Sequence, residues 1–177
     1  MSIINRVPEK LINYKVYQDG SDLVGVADID LPDVDHMAET LSGSGIGGEF
    51  ESPTMGHTKG MTLKLKFRTL YRPLMLLLTP TPKVFDLRLS IQALDAGNSE
   101  YTSYPSRIVV RGVPKKKGLG KLDVGKKMDN EMELSVTYLK VFVDGKEAME
   151  VDQLNFIYKI DGVDALASVR EHLGMTN

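Results

Sequence analysis

The stretch MTLKLKFRT, Met61 to Thr69, has the cleanest alternation in the chain. Met61, Leu63, Leu65 and Phe67 fall on one face, and Thr62, Lys64, Lys66 and Arg68 on the other. This period of two is the signature of a half-buried strand. KVFDLRLSIQAL repeats it, with Phe85, Leu87, Leu89 and Ile91 inside and Asp86, Arg88, Ser90 and Gln92 outside. SRIVVRGV predicts another strand, ending in the basic tip KKKGLGK. MELSVTYLKVFVDGKEAMEVDQLNFIYKIDG predicts a long hairpin. Met132, Leu134, Val136 and Tyr138 share a face, and Asp144-Gly145 is a type I′ turn signal. On the return strand Met149 and Val151 are in one phase, while Leu154, Phe156, Tyr158 and Ile160 are in the other. A β-bulge near Asp152-Gln153 would produce that slip. At the N-terminus, YKVYQDGSDLVGVADIDLP predicts a first hairpin. Tyr14, Val16 and the run Leu23 to Ile29 flank the turn residues QDGSD, and Pro32 ends the strand or puts it on an edge.

Helical spacing is rarer. YRPLMLLLTPTP predicts a short helix at most, started by Pro73 and stopped by Pro80. Over about residues 162–173, Val163, Leu166, Val169 and Leu173 follow helical spacing, and Gly174 sits where a C-cap belongs. Residues 36–60, HMAETLSGSGIGGEFESPTMGHTKG, hold six glycines and one proline, and no period persists there. A long irregular segment inside a compact domain is uncommon unless it is functional. The pattern therefore predicts one domain over residues 1–177. It is mainly antiparallel β, sandwich- or barrel-like, with roughly six or seven strands and a C-terminal helix.

Composition narrows the function classes. The 177 residues suffice for one domain with a substantial core, and 42% apolar content fits a globular chain. The formal net charge of −2 gives no global basic bias toward nucleic acid. With no cysteine, disulfide scaffolds, thiolate zinc sites and cysteine nucleophiles are excluded. The N-terminal MSIINRVPEKLINYKVYQDG carries charges where a signal peptide needs an apolar core. The run Leu74 to Leu78 is far short of the roughly 20 residues that span a bilayer. A soluble protein without a cleaved signal and without stable membrane association is expected.

Four features invite a chemical reading. Gly43, Gly45 and Gly48 match the G-x-G-x-x-G dinucleotide fingerprint, but that motif works only between a strand and a helix of a βαβ unit. Here EFESPTMG follows, and the chain shows no βαβ alternation. Two readings of the glycines stand: free turning of an exposed segment, or close packing of that segment on a neighbouring chain. KKKGLGK, Lys115 to Lys121, lacks the first glycine of a Walker loop. It reads as a solvated hairpin tip, with phosphate or acidic-partner contact as the alternative. His36, His57 and His172 show no metal-ligand spacing. Glu150 and Asp152 lie two apart on a strand, which describes a solvated polar face better than an acid–base pair. No nucleophile, base and orienter can be assembled, so neither catalysis, a cofactor nor a metal is expected.

IVVRG followed by LSVTYLKVFVDGKEAMEVDQLNFIYKIDGVDALASVREHLG resembles the major tail tube protein of contractile-tailed bacteriophages and related phage-tail-like bacteriocins. The resemblance rests on Val109 to Gly112, on Val143 to Gly145, and on Val151-Asp152 with Asn155. It continues through Asp161 to Asp164 with Arg170, Leu173 and Gly174. YQDG…GV…DLP and SGSGIGG resemble the family's first hairpin and glycine-rich region, so coverage is nearly the whole chain.

This resemblance implies six-membered rings stacked into a hollow tube inside a contractile sheath, a conduit for DNA or a membrane-piercing rod. Each subunit would give four strands to a ring-wide inner β-barrel. Implied partners are further copies of the chain, the sheath protein, baseplate and tail terminator proteins, the tape measure protein in the lumen, and DNA in non-specific passage. The implied location is the virion tail, assembled in the bacterial host cytoplasm. The candidate ring-stacking residues are Gly43, Gly45, Gly47 and Gly48, Asp144 and Gly145, Asp152 and Asn155, and Asp161, Asp164 and Arg170. Candidate lumen residues come from the polar strand faces: Lys64, Lys66, Asp86, Arg88, Glu133 and Glu150. Two alternatives remain, a type VI secretion-like tube protein and a monomeric β-sandwich binding module.

Overall fold

A computed structural model of the chain describes residues 6–22 and 26–175. In chain order the strands are β1 (Arg6–Gln18), β2 (Ser21–Asp22), β3 (Val26–Asp30), β4 (His36–Ser42), β5 (Glu49–Thr58) and β6 (Met61–Phe67). The helix α1 (Arg72–Leu76) precedes β7 (Lys83–Asp95), β8 (Tyr101–Gly118) and β9 (Asn130–Val143). The chain ends with β10 (Lys146–Asp152), β11 (Ile157–Ile160), β12 (Val163–Asp164) and α2 (Ala167–His172). These are more strands than the six or seven expected, because β2 and β12 are too short for any periodicity to register and because β4 and β5 were not foreseen.

Two long strands, β8 and β9, form the spine of a ten-stranded antiparallel sheet. The back of β9 pairs with β10, and the front of β8 pairs with β7 and through it with β1. The front of β9 instead pairs with β6, from Met61↔Val136 to Phe67↔Asn130, and β6 pairs with β3. The sheet therefore has a wide half and a four-stranded half. The halves meet where the β8–β9 register shifts between Arg111 and Gly112, opposite Thr137. Gly112 is required there, since a Cβ would collide with the backbone carbonyl of Ser135. Such a bulge bends and twists both strands.

Side chains of the two halves meet in one core. Met61, Leu63, Leu65, Phe67, Met132, Leu134 and Val136 come from the four-stranded half. Val16, Phe85, Leu87, Val110, Leu139 and Val151 come from the wide half, and Leu74 and Leu77 from α1 and its end. This is the packing of a sandwich made from one folded sheet. The alternation in β6 and β7 is realised as read, with Phe85 and Leu87 buried; Leu89 and Ile91 are half-buried. The sheet stays open within one chain, with no closed barrel among the described residues.

The structure corrects five expectations. Residues 36–60 are a hairpin, not an irregular loop: β4 pairs with β5 from His36↔Thr58 to Ser42↔Glu49, around the turn that holds Gly43, Gly45, Gly47 and Gly48. Nearly every residue of this arm is exposed, and with neither face covered no apolar alternation is needed. Tyr138 does not share the face of Met132, Leu134 and Val136, because the bulge at Thr137 inverts the phase and Leu139 becomes buried. The return strand is two strands: after Asp152 the chain turns and β11 pairs back on β10, from Met149↔Ile160 to Asp152↔Ile157. The phase slip there is a chain reversal, and the bulge in this hairpin lies between Glu147 and Met149. The C-terminal helix is only Ala167–His172; Leu166 is buried, but Val163 and Leu173 are 73% and 57% exposed. In the first hairpin β1 turns at Asp19 and Gly20, both at positive φ, yet β3 leaves β1 and joins β6. Leu23 to Gly25 of that expectation lie outside the described residues.

Candidate functional site

The outward face of the four-stranded half carries a charge ladder. Period-two patterning puts Asp28 and Asp30 of β3, Lys64 and Lys66 of β6, and Glu131 and Glu133 of β9 on the side away from the core. Strand register aligns them: Asp28↔Lys66 and Asp30↔Lys64 on one side, Lys64↔Glu133 and Lys66↔Glu131 on the other. On β8, Lys116 stands opposite Glu133. Lys66 Nζ lies 3.0 Å from Asp30, and Lys116 Nζ lies 2.9 Å from Glu133 and 3.7 Å from Glu131. Lys115 donates to Thr62 Oγ1 at 2.7 Å and reaches Glu133 at 3.7 Å. The hydrogen bond from Lys116 holds the Glu133 carboxyl below its ordinary range, and its bond to Asp30 raises Lys66. Read across the strands, the signs run acidic, basic, acidic, basic.

KKKGLGK is therefore not a free tip. Lys115, Lys116 and Lys117 are strand residues of β8, and the turn lies beyond Gly118. Lys117 points the other way, against Met75, and its burial lowers the ammonium's pKa.

The wide half has its own polar face. Asp86 receives Arg107 at 2.8 Å and Arg88 at 3.2 Å. Burial pushes this carboxyl up, but the two guanidinium hydrogen bonds outweigh it and hold Asp86 below the ordinary value. Arg88 also lies over the Tyr17 ring, and Arg111 over Tyr138. Glu150 accepts from Tyr138 OH at 3.0 Å and faces Lys140 at 3.3 Å and Lys159 at 3.5 Å. Burial raises Glu150, and these donors lower it by more. Glu150 and Asp152 are among the few buried polar residues, which corrects the solvated face expected for them. Period two failed there because β11 covers β10 on its second edge.

Asp152 organises the β10–β11 turn. Its carboxylate accepts the backbone N–H groups of Leu154 and Asn155 at 3.1 Å each, Asn155 Nδ2 at 2.7 Å and Arg111 Nη2 at 3.1 Å. Asp164 accepts Arg170 Nη2 at 2.6 Å and the N–H of Leu166 at 3.1 Å, while Arg170 Nη1 donates to the Phe156 carbonyl at 2.7 Å. Burial raises Asp164, and Arg170 brings it back below its ordinary value. Asp161 and Gly162 make the β11–β12 turn at positive φ, as Asp144 and Gly145 do between β9 and β10.

The arm is anchored at its base. Gln153 Nε2 donates to Thr58 Oγ1 at 2.8 Å and to the Lys59 carbonyl at 3.1 Å. His36 and Tyr158 pack ring to ring at 5.3 Å. Gly56, at φ +68°, leaves room only for the Leu166 side chain. Beyond that base the arm exposes Met37, Leu41, Ile46, Phe50 and Met55, with Leu41 directly opposite Phe50. Such a cluster of exposed large apolar side chains on a two-stranded element marks an interaction surface.

The sequence profile of the family "Phage tail tube protein FII" matches residues 8–174. The chain belongs to the phage tail tube protein FII family. A tail tube protein of Escherichia phage P2 is 34% identical over 68 residues, which span 38% of this chain and 40% of that protein's length. Among solved structures, the sheath/tube terminator of an extracellular contractile injection system matches with a TM-score of 0.57 at 12% identity. The match covers 77% of this chain and 97% of that one, and it is a likeness of fold. A tail tube family is structural, which agrees with the absence of a catalytic set in the sequence.

Within this family fold, Lys64, Lys66 and Glu133 come together on one face. Asp86, Arg88 and Glu150 lie on the outward face of the other half, across the shared core. Of the candidate stacking residues, the four glycines lie in the arm's turn, and Asp152, Asn155, Asp164 and Arg170 make intrachain contacts that fix the C-terminal turns. The residue reading missed Asp28 and Asp30 as ladder members, Gly56 and Gln153 as anchors, and Arg107 beside Asp86. The acid–base alternation from strand to strand would have exposed the ladder, had the pairing β3–β6–β9 been legible. No helix among the described residues is long and apolar enough to cross a membrane.

Proposed function

We propose that this chain is the repeating subunit of a contractile tail's tube. Six copies form a ring, rings stack into a hollow tube within a sheath, and the tube conducts DNA into the host. Its partners are further copies, the sheath protein, terminator and baseplate proteins at the two ends, and a tape measure protein in the lumen. The observation that carries this reading is the family match over residues 8–174. Two features support it. The four-stranded half offers a polar outward face opposite an apolar one, as a barrel segment between water and a core needs. The arm offers exposed apolar side chains that a neighbouring copy could cover. We assign the ladder face, with Lys64, Lys66 and Glu133, to the lumen, because its charges cancel within the face. Asp86, Arg88 and Glu150 then face away from it. Negative-stain microscopy of concentrated protein, with and without baseplate initiators, tests the proposal. Hollow rings or tubes are expected; monomers alone, even with initiators present, would overturn it.

A further inference from the structure

The outward face of the wide half carries three cations in one row. Lys15 of β1 stands opposite Arg88 of β7, and Arg88 stands opposite Arg107 of β8. Like charges directly opposite one another destabilise a strand pair. The row on one side holds Tyr17, Asp86 and Val109, and the row on the other holds Asn13, Ser90 and Pro105. These three rows therefore contain three cations and one carboxylate. Asp86 accepts Nε and Nη2 of both Arg88 and Arg107. Nη1 of each has no partner among the described residues, and the two side chains stay 60% and 49% exposed. Farther across the same face the charges balance: Lys140 meets Glu147 at 2.8 Å, and Arg111 meets Asp152 at 3.1 Å. The excess of cations is local to β1, β7 and β8.

The row also lies in a depression. Arg88 separates two cavities, one of about 460 Å³ beside Pro105, Arg107 and Phe142, the other of about 300 Å³ beside Asn13, Tyr17 and Ser90. Arg88 lies over the Tyr17 ring at 4.8 Å, and Arg107 over the Phe142 ring at 5.8 Å. Ring stacking and the shared Asp86 hold both guanidinium groups in place. A guanidinium fixed in this way can take a carboxylate with little further loss of side-chain freedom. Resting on the tube reading, in which this face looks away from the lumen, we infer that the Lys15–Arg88–Arg107 row is a docking groove for an acidic segment of the protein that encloses the tube. Asp or Glu side chains of that segment take the outer N–H groups of Arg88 and Arg107, and its apolar side chains enter the larger cavity against Pro105 and Phe142. The competing occupant is the arm of another copy, because residues 36–58 hold Glu39, Glu49 and Glu51 and neither lysine nor arginine. The arm suits the groove less well. Its Glu49 and Glu51 alternate with Phe50 along β5, so carboxylates and ring point to opposite faces, whereas the groove needs both on one side.

Assembled tubes are titrated with fluorescent oligoglutamate and oligolysine peptides of equal length, and binding is followed by anisotropy at low salt. The glutamate peptide should bind and the lysine peptide should not. Arg88→Gln with Arg107→Gln should weaken glutamate binding about tenfold, and Lys15→Gln, which leaves the hydrogen bonds to Asp86 in place, about threefold. Lys126→Gln, in the turn beyond β8, is the control and should change nothing. The same tubes are then mixed with purified sheath protein. Tubes of the double variant should form normally and be sheathed poorly. Equal glutamate binding by native and double-variant tubes overturns the groove and leaves the tube reading intact. A double variant that is folded by circular dichroism but forms no tubes identifies a second copy as the occupant and overturns the inference. If the double variant does not fold, the comparison of Lys15→Gln with native tubes decides, and equal binding overturns the groove. Native subunits that form no tubes overturn the tube reading and the inference with it.

Discussion

Asp152 shows how much one side chain can fix. It is 4% exposed, and four donors converge on its two oxygens, two of them backbone N–H groups of the turn that reverses β10 into β11. Asp152→Ala removes the acceptor, strands those N–H groups and leaves Arg111 without its carboxylate. A loss of roughly 2–4 kcal/mol is expected, read as a lower midpoint in urea with an unchanged slope. Asn155→Ala, which deletes only the side-chain donor, should cost about 1 kcal/mol. The other carboxylates set the acid limit of the fold. Asp86 and Asp164 lie below the ordinary aspartate value of 3.8, and Glu150 below the ordinary glutamate value of 4.5. The unfolded chain binds protons at these sites before the folded one does, so stability is full above about pH 5 and falls as pH drops through about 4 and below. Thermal midpoints of the isolated subunit between pH 3 and pH 7 should trace that curve, and replacing Asp86, Glu150 and Asp164 by their amides should flatten it. A midpoint rising on acidification would contradict these assignments.

At the scale of elements, the arm differs from the rest. A two-stranded hairpin without a covered face is marginal alone in water. Among the described residues, Gln153, Tyr158 and Leu166 hold the β4–β5 arm at its base. Amides from Leu41 to Phe50 should therefore exchange rapidly in the isolated subunit and become protected in assembled tubes. Equal protection in both states would remove the arm from the assembly surface. Gly56→Val, which places side-chain atoms where Leu166 sits and a β-branched residue at φ +68°, should speed exchange at the base as well. What could be read from sequence follows the same division. β6, β7 and the front of β9 were legible because one face meets the core and the other meets water, so burial and hydrophobicity share a period of two. The arm was not, because its pairing is independent of burial. The split of β10 from β11 was not, because the reversal depends on one carboxylate capping two N–H groups. The inversion at Tyr138 depends on a single bulge residue, Thr137, whose type signals nothing. The DG turn at Asp144 was legible, because positive φ at two successive residues selects that pair; the same pair at Asp161-Gly162 makes a second such turn that was not read as one. The ladder was half legible: each strand's polar face was evident, but the strand order that pairs Lys66 with Asp30 was not.

For the whole molecule, the proposed tube raises the question of how its lumen would hold DNA without gripping it. Affinity for duplex DNA comes mainly from cations that replace condensed counterions, and each persistent contact adds to the salt dependence. On the ladder face the ammonium groups of Lys64, Lys66, Lys115 and Lys116 stand among the carboxylates of Asp28, Asp30, Glu131 and Glu133, four against four. An ammonium already beside a carboxylate releases little when a phosphate passes, and the carboxylate repels that phosphate. If this face lines the lumen, assembled tubes should bind linear duplex DNA weakly, and log affinity should fall with log salt with a slope shallower than about −2. The charge pattern also supplies the converse. Glu131→Gln with Glu133→Gln keeps the shape of the face but removes two of its carboxylates, leaving Lys64, Lys66 and Lys116 without their β9 partners. Tubes of that variant should bind DNA more tightly, with a steeper slope, whereas Asp86→Asn on the other half should leave binding in the lumen unchanged. Tight binding by the native tube, or a larger gain from Asp86→Asn than from the glutamate pair, would mean that the other polar face lines the channel.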